Sequence, residues 1–133
     1  LGFMLQDRGE LFSLDKNQII QALINIIKNA IQATNNKGTI TIKTRAILKF
    51  TIGQKKHDLV AKIDVIDNGK GIPEGKLKEI FYPMVTSKPD GMGLGLTIAQ
   101  SIITQNHGLI ECTSSKNHTT FSIILPWSTE DDI

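Results

Sequence analysis

The sequence is short of cysteine, of long apolar runs and of charge of one sign. The single cysteine, Cys112, excludes an internal disulfide and fits a reducing compartment such as the cytoplasm. It sits among alternating apolar residues, where a buried bystander is a simpler reading than a nucleophile. No apolar stretch approaches the roughly 18–20 residues that span a bilayer, and no secretory signal is present, so no membrane contact is expected of this domain. The chain opens on Leu1 rather than methionine and is read as a piece excised from something longer. Its 15 basic and 13 acidic residues are interspersed, giving a net charge of +2 without a basic stripe. Nucleic-acid binding driven by charge is therefore not expected. Repeats and low-complexity tracts are absent, as are the GxxxxGK[ST] loop and the strand-borne GxGxxG turn.

What remains is enough for one domain spanning residues 1–133, with 40% hydrophobic residues and a real core. From Asp15 to Ala33, apolar Ile19, Ile20, Leu23, Ile26, Ile27, Ala30 and Ile31 follow the helical period, and Asp15 with Gln18 resembles a capping box. Two β-rich runs follow, TITIKTRAILKFTI and HDLVAKIDVID, separated by a GQKK turn. Between Asn68 and Gly95 little is periodic. A second helix is expected from about Gly95 to Asn106, with Gly108 as its cap. The strands LIECTS and TTFSIILP complete the pattern. Helices and strands without regular βαβ alternation imply an α/β sandwich, a mixed sheet covered on one face by helices.

Four clusters have residue types suited to chemistry. Asn25 and Asn29 lie one turn apart on the first helix, on a face placed opposite the Leu23–Ile26–Ile27–Ala30 stripe. Alone they read as a solvated polar face; the alternative is a pair of amide oxygens offered to a hard cation or its waters. In Asp67-Asn68-Gly69-Lys70-Gly71, Asp67 continues the parity of Leu59, Ala61, Ile63 and Val65, so its carboxylate should point toward the core and need a donor. Gly69 and Gly71 let backbone approach a flat ring, although DxGxG is by itself an ordinary turn. Phe81 in IFYPMVTSKPDG reads by itself as core filling, and Lys88 is loop decoration or a phosphate contact. Finally, DGMGLGL opens a helix with three alternate glycines, each costing roughly 0.5–1 kcal/mol inside an element. A glycine-rich turn at a helix N-terminus makes an anion site.

The order of these clusters resembles the catalytic, ATP-binding domain of bacterial sensor histidine kinases, in the GHKL superfamily. LINIIKNAIQA is similar to that family's N box, DVIDNGKGIP to the G1 box, IFYPMVTSK to the F box and GMGLGLTIAQ to the G2 box. NHTTFSIILP resembles the terminal strand with its adenine-side threonine, here Thr119. The likeness covers about residues 10–126, and the FYPMV wording looks closest to the nitrogen-regulatory (NtrB-type) kinases. It implies the two-layer Bergerat sandwich with a mobile ATP lid, and ATP with Mg2+ as ligands. Asn29 would coordinate magnesium and Asn25 position the ion or its waters. Asp67 would accept the adenine amino proton, with Thr119 nearby through water. Gly69, Gly71 and Ile72 would wall the base, and Phe81 would anchor the lid. Lys88, with Gly91 and the amides of Gly93, Leu94, Gly95 and Leu96, would meet the phosphates. Asn25, Asn29 and Lys88 would form the catalytic set.

The sequence also departs from the family's pattern. Gln32 and Ala33 stand where Lys-Tyr is common, Met92 where a small hydroxyl residue is common, and Asn117 where a glycine is usual. The superfamily's hydrolysing members place a glutamate one turn before the magnesium asparagine; Asn25 is a poor base there, which favours transfer over hydrolysis. His57, His107 and His118 lack the context of an acceptor helix. The implied partners are therefore a separate acceptor-histidine dimerisation domain of the same kinase and a downstream response regulator. Two alternatives stand beside this reading. A GHKL serine kinase acting as an anti-sigma factor would be expected to carry glutamate near position 25, and a non-catalytic nucleotide-gated module would not need the intact boxes.

Overall fold

The computed structural model describes residues 2–6, 10–35, 37–77, 80 and 92–127. Strands β1 (Gly2–Gln6) and β2 (Glu10–Leu14) pair with each other, and helix α1 (Lys16–Ala33) follows. A long hairpin comes next, β3 (Ile40–Ile52) and β4 (Lys55–Asp67), then the one-turn α2 (Glu74–Leu77) and helix α3 (Met92–Gln105). Strands β5 (Leu109–Ser115) and β6 (His118–Pro126) close the domain.

The main sheet has the order β3-β4-β6-β5, and every neighbouring pair is antiparallel, not mixed as expected. The reason lies in the connections. Two-residue turns join β3 to β4 and β5 to β6, and such turns permit only antiparallel pairing. The crossover carrying α2 and α3 does make β4 and β5 run in the same direction, but β6 lies between them. The α/β sandwich itself stands, with α1 and α3 on the face that carries Val65, Phe121, Ile123, Leu125 and Ile110. Phe121, Ile26, Ile103 and Ile123 are fully buried there, each worth about 1.5–3 kcal/mol of transfer free energy.

Asp15 caps α1, its Oδ1 accepting the Gln18 N–H at 3.2 Å. The return half of the expected capping box is replaced by Asn106. Its Oδ1 accepts the Asp15 N–H at 3.0 Å and its Nδ2 donates to Gln18 Oε1 at 3.2 Å. Asn106 follows the last residue of α3, so the start of α1 is fastened to the end of α3. His107, with φ +66°, takes the left-handed position after that helix, and Gly108 donates back to Ile103 at 2.9 Å. Gly108 is needed for closeness, because a Cβ there would lie 2.6 Å from the Ile124 carbonyl oxygen.

From the Asn106 junction the two helices run in opposite directions through one core that holds Ala22, Ile26 and Ala30 with Leu96, Ala99 and Ile103. Met92 lies as many residues from Asn106 as Asn29 lies from Asp15, about 21 Å at 1.5 Å per residue. Asn29 is thereby brought level with the beginning of α3.

Candidate functional site

Asp67 is the last residue of β4, and strand parity turns it toward the helix layer as expected. It is 1% exposed. Its Oδ1 accepts the Gly69 N–H at 2.9 Å, while its buried Oδ2 has no hydrogen-bond partner among the described residues. A buried carboxylate oxygen without a donor is costly, so this atom is the strongest sign of a missing ligand. Thr119 stands directly across from Asp67 on β6 and is 3% exposed.

Sequence reasoning missed Ser114, which pairs with Thr119 from β5. Ile40, Asp67, Thr119 and Ser114 thus form one rung across the sheet. The Ser114 and Thr119 hydroxyls are 2.8 Å apart, and Ser114 Oγ accepts the Ile72 N–H at 2.8 Å. The only signal in the sequence was the alternation Ile110, Cys112, Ser114, which puts a hydroxyl on the core face at the open end of a strand. Cys112, half-buried one rung further in, has its thiol pushed up to about 12, by burial first and by the Asp67 charge second. A thiol held in its protonated form is a poor nucleophile.

The glycines of the Asp67–Gly71 segment have neighbours within the protein. A Cβ on Gly69 would lie 2.5 Å from the Ala33 carbonyl oxygen, and one on Gly71 would lie 2.6 Å from that of Ser115. Gly71 also has φ +82°, which L side chains rarely adopt. Closeness to protein backbone therefore accounts for both glycines without a ring. The segment is pressed onto the C-terminal end of α1 and onto the β5 end.

Asn29 requires a correction. It is not opposite the apolar stripe but part of the buried line Ala22, Ile26, Asn29, Ala30, and is 9% exposed. The buried face follows the small alanines, leaving Ile20, Ile24 and Ile31 about 40% exposed on the other side. Asn29 Oδ1 is buried and, among the described residues, without a partner; Asn25, one turn earlier, is half-buried.

The G2 stretch also differs from expectation. Gly93, Leu94 and Gly95 lie inside α3, which begins at Met92 rather than near Gly95. In a helix each N–H bonds four residues back, so the Leu96 amide is committed to Met92, whereas those of Met92, Gly93 and Leu94 lack intrahelical partners. The open amides are thus shifted toward the N-terminus of the expected set. Leu96 is buried in the core. Phe81, Lys88 and Gly91 lie outside the described residues, with nearly all of the expected lid. A recess of about 390 Å³ bounded by Ala33, Thr34, Gly38, Asn68 and Asn117 is lined by none of Asp67, Thr119 and Asn29.

A family model described as histidine kinase-, DNA gyrase B-, and HSP90-like ATPase matches residues 14–129. The chain belongs to this family. A sensory histidine kinase/phosphatase NtrB from Proteus hauseri is 49% identical over 111 residues, 83% of this chain and 32% of that protein. The NtrB of Klebsiella oxytoca is 48% identical over 113 residues, 84% of this chain and 32% of its own length. The chain therefore spans about a third of the length of the curated relatives it matches. Among solved structures, a nucleotide-free catalytic domain of the histidine kinase ThkA matches with a TM-score of 0.71 and 32% identity, over 87% of this chain and 70% of that one. The mycobacterial sensor histidine kinase MprB shares the fold, with a TM-score of 0.68 at 22% identity over 87% of this chain and 74% of its own.

Within this HATPase domain, one departure from the family's pattern has a structural resolution. Asn117 adopts φ +62° in the β5–β6 turn, the conformation for which glycine is usual. Ala33 presents its carbonyl to Gly69, where the pattern commonly has tyrosine. Among the described residues no helix is long and apolar enough to cross a membrane.

Proposed function

We propose that this domain binds Mg-ATP and delivers its γ-phosphate to a histidine on a separate dimerisation domain of the same kinase. The observation that carries the reading is the buried Oδ2 of Asp67, without a partner among the described residues, an acceptor suited to an exocyclic amino group. Thr119 completes the polar end of the base site. Asn29 fits magnesium: its Oδ1, without a partner among the described residues, is a hard oxygen ligand level with the start of α3, and one protein contact suffices for an ion that keeps its waters. When bound, the ion supplies charge neutralisation for the triphosphate. Asn29 and Asn25 orient that end, and the first-turn amides of α3 receive phosphate oxygens. Lys88 and Phe81 complete phosphate binding and lid anchoring.

Transfer fits this site better than hydrolysis. Asn25, half-buried one turn before Asn29, offers an amide where a water-activating base would sit. The same residue argues against the anti-sigma serine kinase. The nucleophile comes from outside, since His57 lies in β4, His107 follows α3 and His118 opens β6. A response regulator then takes the phosphoryl group in the cytoplasm.

The test is transfer of radiolabelled γ-phosphate to a supplied acceptor-helix domain. Acid-labile, base-stable label on that domain and none on this chain is the expected result. Stable label on His57, His107 or His118 would overturn the assignment of the acceptor, and nucleotide binding without transfer would favour a non-catalytic module.

A further inference from the structure

We propose that Ser114 is a positioning residue that sets base selectivity by aiming the Thr119 proton into the site. The inference rests on the proposed reading of the Asp67–Thr119 rung as the adenine site. A hydroxyl has one proton to donate and two lone pairs. Ser114 Oγ already accepts the Ile72 N–H at 2.8 Å, so its single proton must choose between two acceptors. Thr119 Oγ1 lies at 2.8 Å, the optimal O–H···O distance, whereas the His118 carbonyl oxygen lies at 3.4 Å, near the limit. The 2.8 Å contact allows either hydroxyl to donate; with Ser114 as the donor its proton goes to Thr119, and the longer contact to the His118 carbonyl is not made. Thr119 then has its own proton free, beside Asp67, which as a carboxylate only accepts.

The rung therefore presents an acceptor, Asp67 Oδ2, next to a donor, Thr119 O–H. The edge of adenine offers the complement for direct contact, an amino donor at N6 beside an acceptor at N1. Guanine offers the reverse, a carbonyl at O6 beside an N–H at N1, and meets like against like. If Thr119 instead spent its proton on Ser114, the rung would offer acceptors only and N1 would gain nothing. Ser114 touches no base itself; it acts through Thr119 while also fastening the loop at Ile72.

The atom-specific test compares ATP with 1-deaza-ATP, in which a C–H replaces N1. Binding of both is measured by calorimetry for wild type and Ser114→Ala. Loosening of Ile72 weakens both nucleotides alike, so the ratio isolates the proton. Ser114→Ala is expected to weaken ATP about tenfold more than 1-deaza-ATP, with Ser114→Thr restoring the ratio. Equal factors for the two nucleotides, or no loss for either, would overturn the proposal. Ser114→Cys in reducing buffer keeps the volume with a weak hydrogen-bonding group, so it carries the same comparison if the alanine variant does not fold. Asp67→Asn serves as the control. If it leaves ATP affinity unchanged, the adenine-site reading fails; if it weakens ATP while Ser114→Ala shows equal factors, only the role of Ser114 fails.

Discussion

Asp67→Asn replaces one carboxylate oxygen of the site by an amide NH2 and should separate binding from folding. The Gly69 N–H, 2.9 Å from Oδ1, decides which way the new amide sits: its oxygen must face Gly69, because the reverse would set donor against donor. The amide nitrogen then occupies the place of Oδ2, the buried oxygen that has no partner among the described residues. Without nucleotide this costs little. A buried charge is removed and the Gly69 bond is kept, so stability should hold or rise. With nucleotide the variant turns an N–H toward an amino group, losing one charge-assisted bond and leaving a donor unmade. That penalty is about 1–3 kcal/mol. At 1.4 kcal/mol per decade it weakens ATP roughly 5- to 150-fold. Calorimetry gives the affinity, and a urea transition without nucleotide gives the stability. Equal ATP affinity in wild type and variant refutes the assignment of Asp67. A further check uses purine riboside triphosphate, which has no amino group: the variant should bind it no worse than wild type does.

Asn29→Ala should leave the urea midpoint unchanged or raised, because it removes a buried oxygen that lacks a partner among the described residues, while abolishing most of the difference between ATP binding with magnesium and with chelator. An unaltered magnesium dependence would remove Asn29 from the metal site. Asn106→Ala takes away the acceptor for the Asp15 N–H and the donor to Gln18, and should cost about 1–3 kcal/mol in urea unfolding with little change in nucleotide preference. Cys112, at about 12, should alkylate far more slowly in the native protein at pH 8 than in urea, and faster in Asp67→Asn, where the second cause of the shift is gone. The folded form holds that proton more tightly than the unfolded form. The associated stability is therefore present below about pH 9 and falls as pH rises toward 12, which urea midpoints at pH 8 and 10.5 would show.

Local periodicity made much of this fold readable. The α1 span, the β3–β4 hairpin and the inward parity of Asp67 all follow from patterns within a dozen residues, and the structure reproduces them. Asn29 was misplaced because the apolar stripe was drawn through Leu23, Ile26, Ile27 and Ala30. Packing against α3 instead turned the buried face toward Ala22 and Asn29, beside Ile26 and Ala30, leaving Leu23 and Ile27 partly buried and Ile20 and Ile24 outward. Gly69 and Gly71 were legible as special positions, yet their neighbours, Ala33 and Ser115, lie too far along the chain to be guessed. The same distance hid Asn106 and Ser114. One meets its partner across 91 residues and the other across 42, and no single-sequence pattern encodes such a meeting. The sheet looked mixed because a crossover was visible while the insertion of β6 between the strands it joins was not.

The Asp67 and Asn29 oxygens that lack partners among the described residues would also set the polarity of the proposed nucleotide. Gly69 is pressed on the Ala33 carbonyl, so the Asp67 turn abuts the last residue of α1. Asn29 lies one turn earlier on the same helix, about 6 Å along its axis. That turn separates an acceptor suited to an amino group from an oxygen suited to a cation, and the second is level with the open amides of α3. On the proposed reading the base would lie at the sheet end and the phosphates at the gap between the helix ends. Reversing the ligand would set phosphate oxygens against the Asp67 carboxylate, charge against like charge in a buried site, and would leave Asn29 facing an aromatic ring that offers it no cation. On that reading the same two oxygens, without partners among the described residues, would admit one direction of binding and reject the other, which is the condition for presenting a γ-phosphate at the mouth of the site rather than burying it.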